Sequence, residues 1–231
     1  MNIAIIPARA GSQRIPKKNI KQFCGKPMIE YALEAAESSN HIKKIIVSTD
    51  SKEITKIALE HGALVPFKRP EELSDHLTPT VPVIAHAVKT LIELGWEIEN
   101  VCCIYPCTPL LQYKRLDQIF NKMINGKHQF AYPVVSYNHP IQRAMEMTSG
   151  GKMKFFFPQH ELARTQDLEP AYHDTGQFYW GTLDAWLKEK KMHTDGIGVK
   201  VNLWEFVDID TEEDWEQAEL LRKVVSQQLI E

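Results

Sequence analysis

Nowhere do the 231 residues approach the ~20 consecutive apolar side chains that a membrane-spanning helix requires. Residues 1–7 are apolar but lack the basic flank and small-residue cleavage site of a secretory leader, so a cytoplasmic protein is expected. Cysteine is scarce: Cys24, Cys102, Cys103 and Cys107 form no CxxC pair, and the nine histidines supply no HExxH or HxxxH pattern. Zinc held by converging ligands is therefore not expected, and the thiols read as reduced structural side chains. There is no excess of positive charge either. A net charge of -3 leaves none of the basic footprint of general nucleic-acid binding.

One further absence is local. Between Met1 and Ile29 there are six cations, Arg9, Arg14, Lys17, Lys18, Lys21 and Lys26, and no acid. Asn2–Ile6 is a short, β-branched apolar run that reads as a buried parallel strand, and Ala8–Asn19 as the loop leaving it. The alternation continues with a helix over Pro27–Ser38, a strand at Lys44–Ser48, a helix over Glu53–His61 and a short strand near Leu64–Pro66. A helix over Val83–Leu94, a strand at Val101–Tyr105, a helix over Leu116–Ile124 and a strand at Phe130–Val135 follow. Repeated strand–helix units predict an α/β fold whose sheet is mainly parallel and Rossmann-like.

From residue 136 to residue 172 the rhythm breaks. IQRAMEM and KMKFFF read as strands of an antiparallel excursion, and three adjacent phenylalanines, Phe155, Phe156 and Phe157, are costly to expose. A homodimer interface is expected there. The pattern resumes with a strand at Gln177–Trp180 and closes with a strand at Phe206–Asp210 and a helix over Glu212–Leu229. The chain thus divides into a core of residues 1–135 and 173–231 and an excursion of residues 136–172.

Ligands of open α/β sheets bind beyond the carboxyl ends of the strands, where Pro7–Asn19 (PARAGSQRIPKKN) lies. Ala8, Ala10, Gly11 and Ser12 are small enough to let backbone N–H groups approach an anion, while Arg9, Arg14, Lys17 and Lys18 add charge. The pattern suits a polyphosphate. It matches neither GxGxxG nor GxxxxGK[ST], which disfavours hydride transfer and ordinary P-loop chemistry. A solvated basic face is the plainer alternative. At the other end of the chain, Asp208-Ile209-Asp210 would place two carboxylates on one face of a strand, a hard-oxygen set suited to Mg²⁺. Helix capping competes here, because Thr211 and Asp214 have capping-box spacing.

PARAGSQRIPKKNIKQFCGKPMI is joined by STD at Ser48–Asp50, RPEELSDHLT at Arg69–Thr78, PIQRAM at Pro140–Met145 and RTQDLEPAYHDTGQFYWG at Arg164–Gly181. Together these resemble the CMP-sialic acid synthetase (acylneuraminate cytidylyltransferase) family, and within it the branch that acts on pseudaminic acid. The resemblance covers essentially the whole chain. It implies transfer of CMP from CTP to a nine-carbon 2-keto acidic sugar with release of pyrophosphate, dependent on Mg²⁺. N-acetylneuraminate and 3-deoxy-octulosonate are the alternative sugars. A non-catalytic CTP sensor is the alternative of another class, although it would need no metal-assisted leaving group. CTP and the sugar are then the partners, without nucleic acid or membrane.

Residue by residue, the resemblance assigns the nucleotide to Ala8, Arg9, Ala10, Gly11, Ser12, Lys18, Asn19, Arg69, Asp75, Thr78 and Thr80. Arg9, Lys18 and Asp208 take catalytic roles, and Asp208 and Asp210 hold the metal. Phosphoryl transfer needs positioning and charge stabilisation, which a lysine beside the α-phosphate supplies. Lys17 is the rival of Lys18, and an ordinary surface arginine is the rival reading of Arg69. For the sugar the candidates are Tyr105, Gln142, Arg143, Arg164, Gln166, Asp174 and Gln177, with Asp167 and His173 beside them. Arg143 and Arg164 compete for its carboxylate. His173 is either a base or a structural hydrogen-bonder. Two departures from the wider family stand out. Gln13 replaces a usual lysine, and Tyr105 replaces a usual sugar-contacting glutamine, which counts against plain N-acetylneuraminate.

Overall fold

Period-two alternation in a central strand sends neighbouring side chains to opposite faces, and both faces of this sheet are covered. The computed structural model describes residues 1–12 and 14–228. Gln13 and Leu229, the expected end of the last helix, lie outside them. In β1 (Asn2–Pro7), Ala4 and Ile6 enter one apolar cluster while Ile3 and Ile5 enter another on the opposite face. A small hairpin, β2 (Gln22–Phe23) with β3 (Lys26–Pro27), leads into α1 (Met28–Glu37), which is followed by β4 (Lys44–Ser48) and α2 (Lys52–Glu60). Next come α3 (Thr80–Glu93), β5 (Asn100–Ile104), α4 (Tyr113–Asn125) and β6 (Phe130–Ser136).

The excursion holds the antiparallel pair β7 (Met145–Met147) and β8 (Met153–Phe155). The chain returns through β9 (Tyr172–Asp174), β10 (Phe178–Thr182), α5 (Leu183–Leu187) and β11 (Gly196–Lys200), and ends in α6 (Glu212–Gln228). The sheet order is β11-β6-β10-β5-β1-β4, with β9 paired to β6. β10 runs antiparallel to both β5 and β6, whereas β1 is parallel to β4 and β5, and β11 to β6. The sheet is therefore mainly parallel, as the alternation predicts, with two antiparallel strands: β10 inserted within it and β9 beside β6.

Helices α1, α2 and α4 bury Ile29, Leu33, Ile54, Ile119 and Phe120 on one face, and α3 and α5 bury Ile84, Val88, Leu91 and Trp186 on the other. Trp180 of β10 is fully buried and donates from Nε1 to the Leu116 carbonyl at 3.0 Å, pinning the first turn of α4 to the sheet. A third cluster sits at the carboxyl edge. Ile15, Phe23, Met28, Ile209 and Trp215 meet there, joining the first loop to the segment before α6. No helix among the described residues is long and apolar enough to cross a membrane.

Two expected strands are not formed. Near Leu64–Pro66 only a single parallel bridge, Ile46 to Leu64, is made, because the chain turns away after one residue. Phe206–Asp210 is extended but joins no ladder among the described residues; it lies beyond the sheet, held by side chains. Conversely β9, β11 and α5 were not expected: their strands are short or glycine-bearing and their helix is five residues long.

Candidate active site

β1, β4 and β5 end side by side, and the loops that leave them wall a cleft of about 600 Å³. Arg9, Ser12, Arg14, Lys18 and Asn19 line it from the first loop. The amides of that loop are largely engaged: Ala8 N donates to the Ser48 carbonyl, Ala10 N to Asp50 Oδ1 at 2.9 Å, and Ser12 N to the Ala10 carbonyl. Among Ala8, Ala10, Gly11 and Ser12, small size therefore serves a tight turn against Ser48–Asp50. Charge in the cleft comes from side chains. Asn19, 6% exposed, donates to the Arg9 carbonyl at 2.9 Å and accepts from the Cys107 thiol, so its amide shapes the loop. Burial pushes that thiol up to about 12, despite Lys18 nearby.

The two adjacent lysines part company. Lys17 has φ 52° and ψ 32°, a left-handed backbone uncommon outside glycine, and the turn it makes sends the neighbours to opposite sides. Lys17 Nζ leaves the cleft for Glu53, at 2.9 Å from both carboxylate oxygens. Lys18 turns inward, donates to the Ile209 carbonyl and stands 3.7 Å from Asp210 Oδ1. Arg14 Nη1 reaches Asp210 Oδ2 at 2.7 Å.

Asp210 thus faces the cation loop, while Asp208 lines the adjoining cleft beyond Tyr105. Capping is real but uses another residue: Asp214 Oδ2 accepts from Asp210 N, Thr211 N and Thr211 Oγ1 at 3.0, 2.7 and 2.8 Å. The Asp210 carboxylate is left to the cleft. Desolvation along the wall and the like charge of Asp210 raise the Asp208 carboxyl above the usual carboxylate range, with Lys18 offsetting only part. Two carboxylates in mutual repulsion, one on each side of the junction between adjoining clefts, offer hard oxygens that suit a divalent ion such as Mg²⁺.

The opposite wall carries Arg69, which is 4% exposed and so no surface arginine. Its Nε donates to Ser48 Oγ at 3.0 Å and its Nη2 to the Ser48 carbonyl, while burial lowers its pKa to about 10. Asp75 builds the turn beside it, with Oδ1 accepting from Leu77 N, Thr78 N and Thr78 Oγ1 at 3.1, 2.7 and 2.6 Å. Arg9 donates to the Asp75 carbonyl, tying this turn to the first loop. Thr80 opens α3 and bonds the Tyr105 hydroxyl at 2.5 Å, so the helix's positive end also points here.

Thr80 and Tyr105 are shared with a second cleft of about 960 Å³, which adds Asp174, Tyr179, His193 and Asp208. Burial pushes the Asp174 carboxyl up, but the Tyr179 hydroxyl and His193, 3.5 Å away, outweigh it and hold it below the usual range. His173 Nδ1 donates to the Asp174 carbonyl at 2.9 Å, which leaves Nε2 as its basic nitrogen when neutral. Sequence reasoning singled out neither Tyr179 nor His193; the only signal was Tyr179's place beside a strand-end aspartate.

Of the other sugar candidates, Gln177 is turned inward. It is 5% exposed, its Nε2 donates to the Glu205 carbonyl at 3.0 Å, and Thr175 Oγ1 donates to its Oε1. Gln142, Arg143, Arg164, Gln166 and Asp167 lie on the excursion, and none of them lines either cleft. Gln142 Nε2 donates instead to the Glu169 carbonyl at 2.9 Å.

The profile of the cytidylyltransferase family matches residues 3–228 of this chain. A pseudaminic acid cytidylyltransferase from Campylobacter jejuni is 40% identical over 226 residues, spanning 96% of this chain and 97% of that protein. A CMP-N,N'-diacetyllegionaminic acid synthase from Legionella pneumophila is 26% identical over 99% of both chains. Among solved structures, a CMP:2-keto-3-deoxy-manno-octonic acid synthetase complexed with CTP superposes with a TM-score of 0.68 at 15% identity. It covers 98% of this chain and 99% of its own, a likeness of fold.

The raised Asp208 carboxyl has a consequence for stability. A carboxyl whose folded pKa lies above its unfolded value favours folding when protonated, and this advantage is lost as pH rises through that interval. In metal-free buffer at pH 7, Asp208→Asn should therefore raise the melting temperature. For a partly exposed group the gain is below about 1 kcal/mol, or roughly 2 °C. It should shrink as pH is lowered toward the ordinary carboxylate range. Asp214→Ala, which removes the cap, should cost about 1 kcal/mol instead. Scanning calorimetry across pH reads both, and a lower melting temperature for Asp208→Asn at pH 7 contradicts the reading.

Proposed function

The chain belongs to the cytidylyltransferase family, and we propose that it transfers CMP from CTP to pseudaminic acid, a nine-carbon 2-keto acidic sugar, with release of pyrophosphate. The observation that carries the chemistry is Lys18, turned into the cleft between the other loop cations and Asp210. The choice of sugar rests on the 40% identity with the Campylobacter jejuni pseudaminic acid cytidylyltransferase.

In this reading the triphosphate lies along Arg9, Ser12, Arg14 and Lys18, and the cytosine and ribose against Arg69 and the Asp75–Thr80 turn. The sugar occupies the adjoining cleft beyond Tyr105. Its hydroxyl oxygen forms the new bond to the α-phosphorus as the bond to pyrophosphate breaks, and the hydroxyl proton is released to solvent. Lys18 stabilises the charge that grows on the phosphate oxygens, and Arg9 and Arg14 hold the departing phosphates. Asp208 and Asp210 would hold Mg²⁺, which supplies charge neutralisation at the phosphates when bound. Arg14 and Lys18 exchange their present contacts with Asp210 for phosphate. On this proposal the reaction runs in the cytoplasm, where CTP is available.

A homodimer belongs to the same reading. The excursion exposes Met147 at 70%, Phe156 at 57% and Leu162 at 96%, and Arg143 and Arg164 point to neither cleft of their own chain. A second copy would cover the apolar side chains and accept those arginines beside its sugar.

Two experiments test this. Pyrophosphate release should be observed with CTP and pseudaminic acid, and far less with N-acetylneuraminate, 3-deoxy-octulosonate or UTP. Lys18→Ala should lower its turnover about 10²–10³-fold and Lys17→Ala less than about twofold. Equal damage from both lysines, or no release with any acidic sugar, contradicts the assignment. Light scattering should give a dimer for the wild type and a shift toward monomer for Phe156→Ser/Phe157→Ser; a monomeric wild type at high concentration refutes that part.

A further inference from the structure

Arg115, in the first turn of α4, places Nε and Nη2 on the two carboxylate oxygens of Glu205, each at 2.6 Å. Glu205 is 4% exposed, and Asn202 Nδ2 donates to its Oε1 at 2.6 Å. Arg115 Nη1 donates to Gln118 at 2.6 Å, so the guanidinium is held from both sides. A buried ion pair is weak evidence of stabilisation, because desolvation offsets much of the attraction. Its geometry has to be explained by what it holds.

On one side it holds the sugar wall. The Glu205 carbonyl accepts from Gln177 Nε2 at 3.0 Å, and the Gln177 carbonyl accepts from Tyr105 N at 2.8 Å. A continuous run of hydrogen bonds thus joins α4 to Tyr105, where the two clefts meet. On the other side it holds the acids. Glu205 precedes Asp208 by three residues, and the intervening chain has no ladder partner among the described residues. Beyond Glu205, that segment is held by Phe206 against His173, Val207 and Ile209 at their apolar cluster, and the cap and cation contacts at Ile209 and Asp210. The anchor is rigid because Trp180 pins α4 at Leu116.

We propose that Arg115 and Glu205 are positioning residues that set the spacing between the Asp208/Asp210 pair and the Tyr105–Gln177 wall. Neither touches a reacting atom. The pair keeps metal side and sugar side in register, so that the sugar hydroxyl meets the α-phosphorus in line. This rests on the reading of Asp208 and Asp210 as metal ligands and of the Tyr105 cleft as the sugar site.

The test uses two variants that avoid an unpaired buried charge. Arg115→Lys keeps the charge but loses the fork, and Arg115→Met/Glu205→Gln removes both charges. Mn²⁺ affinity, measured by electron paramagnetic resonance without sugar, should weaken about tenfold in both, the low end of what loss of support behind metal ligands costs. The sugar KM should rise on a similar scale, and amide hydrogen exchange over residues 205–210 should accelerate. CTP affinity in EDTA should stay within about twofold of wild type. Unchanged Mn²⁺ affinity and sugar KM in folded variants overturn the proposal. So does a loss of metal-free CTP affinity as large as the Mn²⁺ effect, which would mean general softening. Asp208→Asn is measured alongside. If it binds Mn²⁺ normally, the metal reading has failed, and the pair stands or falls on the sugar KM and the exchange rates.

Discussion

Ile15 and Ile209 are buried in the same apolar cluster, and the site depends on that fact. One sits in the loop that carries the cations, the other between the two acids. Half-exposed ion pairs such as Arg14–Asp210 are worth about 0–1 kcal/mol each and are screened by salt. Burying an isoleucine is worth about 1.5–3 kcal/mol, so packing, not attraction between charges, brings the loops together. Because the ion pairs are weak, ligands can displace them without dismantling the site. Lys18 and Arg14 are therefore held near their targets yet remain free to change partners.

The electrostatics around that cluster are unbalanced without ligands. Asp208 is raised by burial and by Asp210, and Arg69 is lowered by burial while bonded to neutral Ser48 oxygens. Each of these groups gains from a partner of opposite charge. Such pre-set, unfavourable placements are characteristic of sites that bind charged ligands, where local stability is given up for complementarity.

Much of the fold was legible because its signals are local. NIAII and KIIVS carry the alternation of doubly covered strands, and Lys44–Ser48 is formed as read. The Asp208-Ile209-Asp210 motif was found for a reason that fails: no strand forms there, and the two acids meet adjoining clefts while Ile209 is buried between them. Family spacing favoured Lys18 over Lys17, but the physical reason for their different directions is a positive φ at Lys17, which the sequence does not announce. The Arg115–Glu205 contact spans 90 residues and leaves no periodic trace. Gln177 was read as a sugar contact on the family resemblance, but its neighbours Thr175 and Glu205 already use its amide. The excursion's arginines were legible as a motif, yet their place relative to the clefts depends on how residues 136–172 pack, which composition does not specify.

The central claim is that phosphate lies on the Arg9–Lys18 loop and metal on Asp208 and Asp210, where the two clefts adjoin. The most direct measurement is an anomalous diffraction map of crystals grown with CTP and Mn²⁺ in place of Mg²⁺. The account predicts a manganese peak at the carboxylates of Asp208 and Asp210, with Lys18 moved from the Ile209 carbonyl onto phosphate. A peak away from both aspartates, or a triphosphate that bypasses Lys18, would contradict it.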